Sequence, residues 1–527
     1  MAGKKIYIYD TTLRDGAQSA GINFSLEDKL LITKKLDETG IDYVEGGWPM
    51  KGINTKDFEY FKEVKKLKLK NVKIAAFGST KRAKNRIKDD PVLNSLLEAG
   101  TKVVTIFGKS WLLHVKNVLH VTPKENLEII RESIEYLKEN KKMVIYDAEH
   151  FFDGYKDNPE YAMECLKVAE QAGSDIICLC DTNGGILPQE MDKITREVFE
   201  NIKIPLGIHT HNDADLAVAN SIIAVNNGFT MVQGTINGLG ERCGNANLVS
   251  VIPALSLKMD YVTIPERSFN KITELSRYVY EIANVIPPDN QPYTGKNAFA
   301  HKAGIHADAM LKEQKAYEHI NPEIIGNERK ILITDQAGTS SLIHKANEMG
   351  FNLAKNDSIT RDLIIKIKKL ENEGYEFEAA DASLFIFLKK NLSRYDPFFE
   401  LKGLKVIDEE RDGELFTEAT IKIKVKNMFE HTAAEGNGPV NALDNALRKA
   451  LVKFYPGISD MRLVDFKVRV IDGLEGTAAK VRVLIESADD NDLWTTVGVS
   501  ENIIEASWLA LLDSVEYKLL KTKKVNK

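Results

Sequence analysis

The sequence predicts a (β/α)8 TIM barrel followed by a mostly helical linker region and a C-terminal α+β domain. Three observations predict it. Short apolar strands alternate with amphipathic helices eight times in about 260 residues, the count and size of such a barrel. Polar clusters fall at the carboxyl ends of those strands, where barrel loops carry chemistry. The alternation then stops, and the rest of the 527-residue chain carries other patterns, consistent with two to four domains.

The first strand, over 5–10, holds Ile6, Tyr7, Ile8 and Tyr9, a short apolar run that reads as buried. It leads directly into Asp10-Thr11-Thr12-Leu13-Arg14-Asp15-Gly16. A buried strand that delivers Arg14 and Asp15 to its end looks like the floor of an active site. Further strands are expected at 43–46, 73–77, 103–107, 143–147, 175–180, 206–211 and 231–235. Helical segments between them include 26–39, 126–139, 159–172 and 214–226, with apolar residues three and four apart. Gly40, Gly100, Gly173 and Gly228 sit just past helix ends. An open doubly wound sheet is the alternative. It needs a Gly-rich phosphate turn after the first strand, and Arg14-Asp15-Gly16 is not one.

The later strands end in polar groups as the barrel requires. Strand 5 ends in Asp147-Ala148-Glu149-His150, strand 6 in Asp181-Thr182-Asn183, and strand 7 in His209-Thr210-His211-Asn212-Asp213. Strand 8 leads into Asn237-Gly238-Leu239-Gly240-Glu241-Arg242 and then Gly244-Asn245. Residues scattered for solubility would favour helix faces and both barrel ends equally.

Beyond the barrel, expected over 1–265, residues 266–395 form a helical subdomain with segments near 340–349 and 357–373. An acidic stretch at 408–414 opens the last region, 396–527. There, strands at 419–425, 463–470 and 478–487 accompany helices at 440–454 and 503–520. Net charge is −6 with both signs interspersed, so no basic field calls for nucleic acid. No apolar run approaches the roughly 20 residues of a membrane span. With the first strand so near Met1, no leader is expected. Four cysteines are too few for a disulfide scaffold, so a reducing cytoplasm is expected. Cys178 and Cys180 alternate on one strand as buried apolar residues.

His209 and His211 share one face of a strand, because side chains alternate with period two. Two imidazoles so placed suit a divalent metal, with Asp15 as a hard oxygen ligand and Asn245 as a neutral one. Mixed N and O ligands fit Mn2+, Zn2+, Co2+ or Mg2+ equally. Taken alone, the pair serves as well for hydrogen bonds to backbone carbonyls; Asp15 at the same mouth favours the metal. Arg14 offers a fixed cation to a carboxylate or oxyanion, or a salt bridge to Asp10 or Glu45, with Asp10 as its support. Glu149 and Asp147 are placed for substrate contact or proton transfer, or as helix caps. Thr182 and Asn183 could cap the next helix, and Gly184-Gly185 could admit a ligand.

Asp10–Gly16 with Gln18, His209–Asp213, and Gly238–Asn245 with Asn247 together resemble the 2-isopropylmalate, homocitrate and citramalate synthase family, over nearly the whole chain. The stretches Tyr146–Lys156, Phe107–Trp111 and Tyr317–Ile320 are most similar to those of the long citramalate synthases. The segment Gly436-Asn437-Gly438-Pro439-Val440 is similar to the family's C-terminal dimeric regulatory domain.

The resemblance implies condensation of acetyl-CoA with a 2-oxo acid, followed by thioester hydrolysis. It implies a metal held by Asp15, His209, His211 and Asn245. Arg14 would stabilise the alkoxide, and Gln18, Glu149 and Thr182 would hold the oxo acid. His306, with Tyr317 nearby, would serve enolate formation. Pyruvate is the expected partner, because Phe77, Ile106 and Phe107 would fill the space of a larger side chain. A homodimer inhibited by isoleucine follows for citramalate, and by leucine for isopropylmalate. A hydroxyacyl-CoA lyase on a similar barrel is the competing reading, but its usual form lacks residues like 396–527. Three departures stand out: Leu112 and Asn321 each replace an aspartate, and Ala337–Ser341 lacks an arginine.

Overall fold

The computed structural model describes residues 3–50, 52–301, 309, 313–331, 339–354, 357–411, 413–471 and 479–525. Eight parallel strands close into a barrel in chain order: β1 (Tyr7–Asp10), β2 (Tyr43–Glu45), β3 (Lys73–Ser79), β4 (Val103–Lys109), β5 (Met143–Glu149), β6 (Ile176–Asp181), β7 (Leu206–Thr210) and β8 (Met231–Gly234). Asp10 stands opposite Val44 on β2 and Gly234 on β8, so β1 closes the ring.

Local chemistry explains the outer helices. In α1 (Leu26–Thr39), the Ser25 hydroxyl accepts the Asp28 N–H while the Asp28 carboxylate accepts the Ser25 N–H. The helix stops at Gly40, whose φ of 91° suits glycine. The helices Pro91–Glu98, Pro123–Glu139, Pro159–Gln171 and Pro188–Asn201 each start on proline, which lacks the N–H that a first turn leaves unpaired.

Strand side chains divide by parity. Tyr9, Tyr43, Ala75, Val103, Ile145, Ile176, Cys178 and Met231 form one buried cluster, supplied by every strand except β7. Their alternates, such as Ile8, Val44, Val104 and Ile208, join the large core with the helices. Interior and exterior are thus both packed, which leaves room for a ligand only at the barrel's ends.

The molecule divides into two compact units, residues 1–299 with 320–329, and residues 300–319 with 330–527. In the second, β9 (Ala300–His301) pairs in parallel with β10 (Lys330–Ile331). The helices Thr339–Glu348, Ser358–Asn372 and Asp381–Leu392 share a small core around Leu342, Leu363 and Leu384.

Two antiparallel three-stranded sheets follow, β11 (Glu400–Arg411), β12 (Glu414–Val425) and β13 (Met428–Gly436), then β14 (Arg462–Val470), β15 (Val481–Ala488) and β16 (Leu493–Ser500). The helices Pro439–Leu451 and Ile503–Val525 pack against them over Ile421, Leu447, Ile485 and Leu511.

The acidic stretch at 408–414 is not a domain opening. It is the tip of a hairpin, with Arg411 paired to Glu414. Backbone pairing overrides its polarity because Asp408, Glu409, Glu410 and Glu414 are exposed. β11, β13 and β16 were absent from the sequence reading; β13 is mostly exposed or half-buried and carries little apolar alternation, whereas β16 is buried along most of its length and so does not alternate. Among the described residues, no helix is long and apolar enough to cross a membrane.

Candidate active site

At the carboxyl end of the barrel lies a cavity of about 270 Å3. Arg14, Asp15, Gln18, Glu149, Thr182, His209 and His211 all line it. Asp147, the other carboxylate singled out at the end of β5, lines it too, as do Trp48, Cys180 and Glu241, which the sequence did not mark as site residues.

The run after β1 is shaped by its own backbone. The amides of Arg14 and Gly16 both donate to the Thr11 carbonyl, at 3.1 and 3.0 Å. That tight turn lifts Arg14 and Asp15 over the barrel. The turn does not depend on glycine at 16: a Cβ built there meets Leu239 and Thr12 at 3.5 Å, an ordinary contact. Nor does Asp10 support Arg14. Its carboxylate accepts from the Thr12 amide at 3.1 Å and the Thr12 hydroxyl at 2.7 Å. Burial pushes its carboxyl up to about 7.

The support is Glu45, fully buried at the end of β2, whose Oε1 lies 2.5 Å from Arg14 Nε. Its Oε2 accepts from the Tyr9 hydroxyl at 2.6 Å. Arg14 Nη1 is 3.3 Å from Asp15 Oδ2, and the guanidinium lies 3.9 Å from the centre of the Phe77 ring. A cation held on two sides and stacked on a third is fixed in direction. Of the two partners the sequence offered Arg14, Asp10 and Glu45, the fold selects Glu45, 31 residues away.

Asp15 sits between the two histidines, its Oδ2 3.4 Å from His209 Nε2 and 3.9 Å from His211 Nε2. Burial opposes its charge, but Arg14 and His209 outweigh burial and hold the carboxyl well below the usual range. Burial lowers His209, yet Asp15 outweighs it and the net direction is upward. Burial and the neighbouring His209 pull His211 down to about 3.

His209 Nδ1 lies 3.0 Å from Gln233 Oε1, and Gln233 Nε2 donates to Asp147 Oδ1 at 3.0 Å. The amide oxygen can only accept, so Nδ1 carries a proton, and Nε2 is the nitrogen that faces Asp15 and would ligate a metal.

The donor set fits a divalent metal. Ligand atoms of Asp15, His209 and His211 lie within 4.8 Å of one another. Asn245 pairs with His211 through a backbone bridge. Its Oδ1 is buried with no hydrogen-bond partner among the described residues, as is His211 Nδ1. A buried amide oxygen left without a donor costs about 1–3 kcal/mol; a cation between it, two imidazoles and a carboxylate would remove that cost. Buried Asp147, Cys178 and Cys180 form a second tight group. Burial raises Cys178; the contact with Cys178 lowers Cys180, but burial and the nearby carboxylates outweigh it, so both thiols stay protonated.

Glu149 pairs closely with Lys109 at the end of β4. Thr182 and Asn183 do not cap the following helix. The Thr182 hydroxyl accepts the His150 amide at 2.9 Å, and Asn183 Nδ2 donates to Asp153 at 3.0 Å. Arg242 donates to the Thr182 carbonyl at 2.7 Å and pairs with Asp213. Gly184, with φ of 65°, admits neighbouring protein rather than a ligand: a Cβ there would lie 2.5 Å from Asp213 and 2.9 Å from the His211 backbone.

The apolar wall consists of Phe77 and Phe107, stacked at 5.5 Å, with Trp48 edge-on to both at 6.1 and 6.0 Å. Ile106 is absent from it. It is fully buried in the core beneath the helices, because its side chain has the opposite parity to Phe107. His301 is 3.2 Å from Glu318. Tyr317 is exposed and belongs to the second unit. His306 lies outside the described residues.

Residues 5–279 match the HMGL-like family, 293–375 the homocitrate synthase post-HMGL domain-like family, and 378–519 the LeuA allosteric (dimerisation) domain. The chain is 54% identical over 521 residues to the (R)-citramalate synthase of Aquifex aeolicus, covering 98% of each. It is 54% identical over 522 residues to that of Geobacter sulfurreducens, covering 99% of this chain and 98% of the relative. It is 32% identical over 523 residues to the 2-isopropylmalate synthase of Methanocaldococcus jannaschii, covering 99% of this chain and 96% of the relative.

Proposed function

Because this chain belongs to the (R)-citramalate synthase family and is an acyltransferase, we propose that it condenses acetyl-CoA with pyruvate to give (R)-citramalate and CoA. The observation that carries the reading is the Asp15, His209 and His211 cluster beside Arg14 in a small cavity with an aromatic wall.

Asp15, His209, His211 and Asn245 would hold the divalent metal, which when bound supplies Lewis-acid polarisation of a carbonyl. Gln233 keeps His209 in the tautomer that leaves Nε2 free. Arg14 meets the charge that grows on the former keto oxygen, already oriented by Glu45 and Asp15. Glu149, Gln18 and Thr182 orient the oxo acid. Because the Thr182 hydroxyl accepts from the His150 amide, its own proton is free to be donated into the cavity. His306 and Tyr317 are assigned to the methyl proton of acetyl-CoA by resemblance. That proton is a very weak acid, so removal requires stabilisation of the enolate as it forms.

The aromatic wall favours pyruvate over 2-oxoisovalerate. One methylene in such a pocket is worth about 1–3 kcal/mol, so 2-oxobutyrate should be a poorer substrate rather than an excluded one. A hydroxyacyl-CoA lyase would have no use for residues 378–519, which match an allosteric domain. We assign the barrel to 1–265, the helical linker to 266–395 and the regulatory domain to 396–527, in a cytoplasmic homodimer inhibited by isoleucine. Supplying acetyl-CoA, Mn2+ and a panel of 2-oxo acids while following free thiol tests the reaction. Thiol release should be fastest with pyruvate. Release only with 2-oxoisovalerate would overturn the substrate, and none with any acid would overturn the synthase.

A further inference from the structure

Beside the substrate cavity lies a second, polar cleft of about 300 Å3. Asn23, Lys29, Asn54, Lys56 and Asp57 contribute to it. The two spaces share three lining residues, Arg14, Gln18 and Trp48. Arg14 is tied to Glu45 and Asp15, which leaves Trp48 as the large apolar side chain common to both. We propose that Trp48 is a specificity-determining partition: its indole ends the substrate cavity on one side and keeps the 2-oxo acid out of the neighbouring cleft.

The fold builds this partition deliberately around one segment. Trp48 follows β2 after Gly46 and Gly47. A Cβ on Gly46 would lie 2.3 Å from the Tyr60 ring, and one on Gly47 would lie 2.2 Å from the Asp57 carboxylate. Glycine at both positions therefore lets the segment press onto α2 (Thr55–Glu63). Asp57 then fixes the backbone, accepting the Trp48 amide at 2.9 Å and the Asn54 amide group at 2.6 Å. Lys29, buried in α1, pairs closely with the same carboxylate and donates to the Gly46 carbonyl at 3.2 Å. The indole so placed meets the Phe77 and Phe107 rings at 86° and 80°, the edge-to-face arrangement that aromatic rings prefer. Phe77 and Phe107 stand on strands and form the back of the wall. Trp48 alone stands on a loop and faces two spaces.

The inference rests on the acetyl-CoA condensation proposed above, and its test separates the two. The full-length enzyme and the Trp48→Phe, Trp48→Leu and Trp48→Ala variants are assayed for thiol release with pyruvate, 2-oxobutyrate and 2-oxoisovalerate, alongside thermal unfolding. If the parent enzyme releases no thiol with any acid, the condensation itself fails. If it does, the ratio of kcat/KM for 2-oxoisovalerate to that for pyruvate should rise at least tenfold in Trp48→Ala, with Trp48→Leu intermediate. The shift should come mainly from a lower KM for the larger acid. An unchanged ratio in a variant that keeps its melting temperature would overturn the partition. So would loss of activity toward every acid in a folded Trp48→Phe variant, since a wall can be thinned without abolishing turnover. Should Trp48→Ala fail to fold, Trp48→Leu carries the same comparison.

Discussion

His209 and Gln233 form a fixed pair, Nδ1 to Oε1 at 3.0 Å, inside a fully closed barrel. Gln233 is itself held by Asp147 on the far side. Gln233→Leu keeps the volume but removes the group that orients the imidazole. Mn2+ affinity should fall about 10–100-fold, read by metal titration of the variant. Unchanged affinity would mean that Gln233 plays no part in the metal site.

His209→Ala and Asp15→Ala should lose bound metal and activity together. The check is metal content of the purified variants against thiol release. Full activity in either variant would remove that residue from the ligand set.

Glu45→Ala leaves the Arg14 guanidinium without its buried partner. Breaking such a pair costs about 3–5 kcal/mol of stability, and kcat should fall with it because Arg14 loses its direction. Glu45→Gln, which keeps a hydrogen-bond acceptor, should recover most of the melting temperature and little of kcat. Equal kcat in all three proteins would make Arg14 a structural residue only.

In the second unit, Asp513 is bonded to Ser383 at 2.8 Å and faces Lys390, which also pairs with Glu516; Tyr395 faces Glu516. Burial pushes Asp513 up to about 6, against the pull of Lys390. A carboxyl raised in the folded state binds its proton more tightly there. Its contribution to stability is therefore full below the unfolded value of 3.8 and is lost as pH rises through about 6. Asp513→Asn should flatten the difference in melting temperature between about pH 7 and about pH 5. An unaltered difference would show that Asp513 titrates alike in both states.

Isoleucine should inhibit the full-length enzyme, and removal of 396–527 should abolish that inhibition while leaving the barrel's ligands in place. The cut also strips the helix Asp381–Leu392 of partners, since Ser383 bonds to the Val497 amide at 3.0 Å. The barrel's integrity is therefore checked by metal binding. Retained inhibition would place the effector elsewhere.

The barrel was legible in the sequence because its strands are buried on both faces and its helices carry their own stop signals. Predicted strand 143–147 and observed Met143–Glu149 differ only at the polar end. The convergence of Asp15, His209 and His211 was legible because all three follow or end strands at one mouth of the barrel. Gln233 was not, and Glu45 was legible only as one of two salt-bridge candidates for Arg14. Each ends or sits in a strand as an isolated polar residue, and its meaning comes from a neighbour brought close by barrel closure. Asp10 drew attention by adjacency to Arg14, yet a tight turn sent the two side chains to different partners. Trp48 carried no signal, since an aromatic residue after a strand is usually core. Ile106 shows the reverse error: a one-residue difference in parity moves a side chain from the cavity to the core.

The most direct test is the fate of carbon. Acetyl-CoA labelled with 13C in its methyl group is incubated with pyruvate, a divalent metal and the full-length chain, and the product is examined by NMR and chiral chromatography. The account predicts the label in the new methylene of (R)-citramalate, with one free thiol released per molecule formed. Thiol release with the label left in acetate, or in a product containing no new carbon–carbon bond, would contradict it.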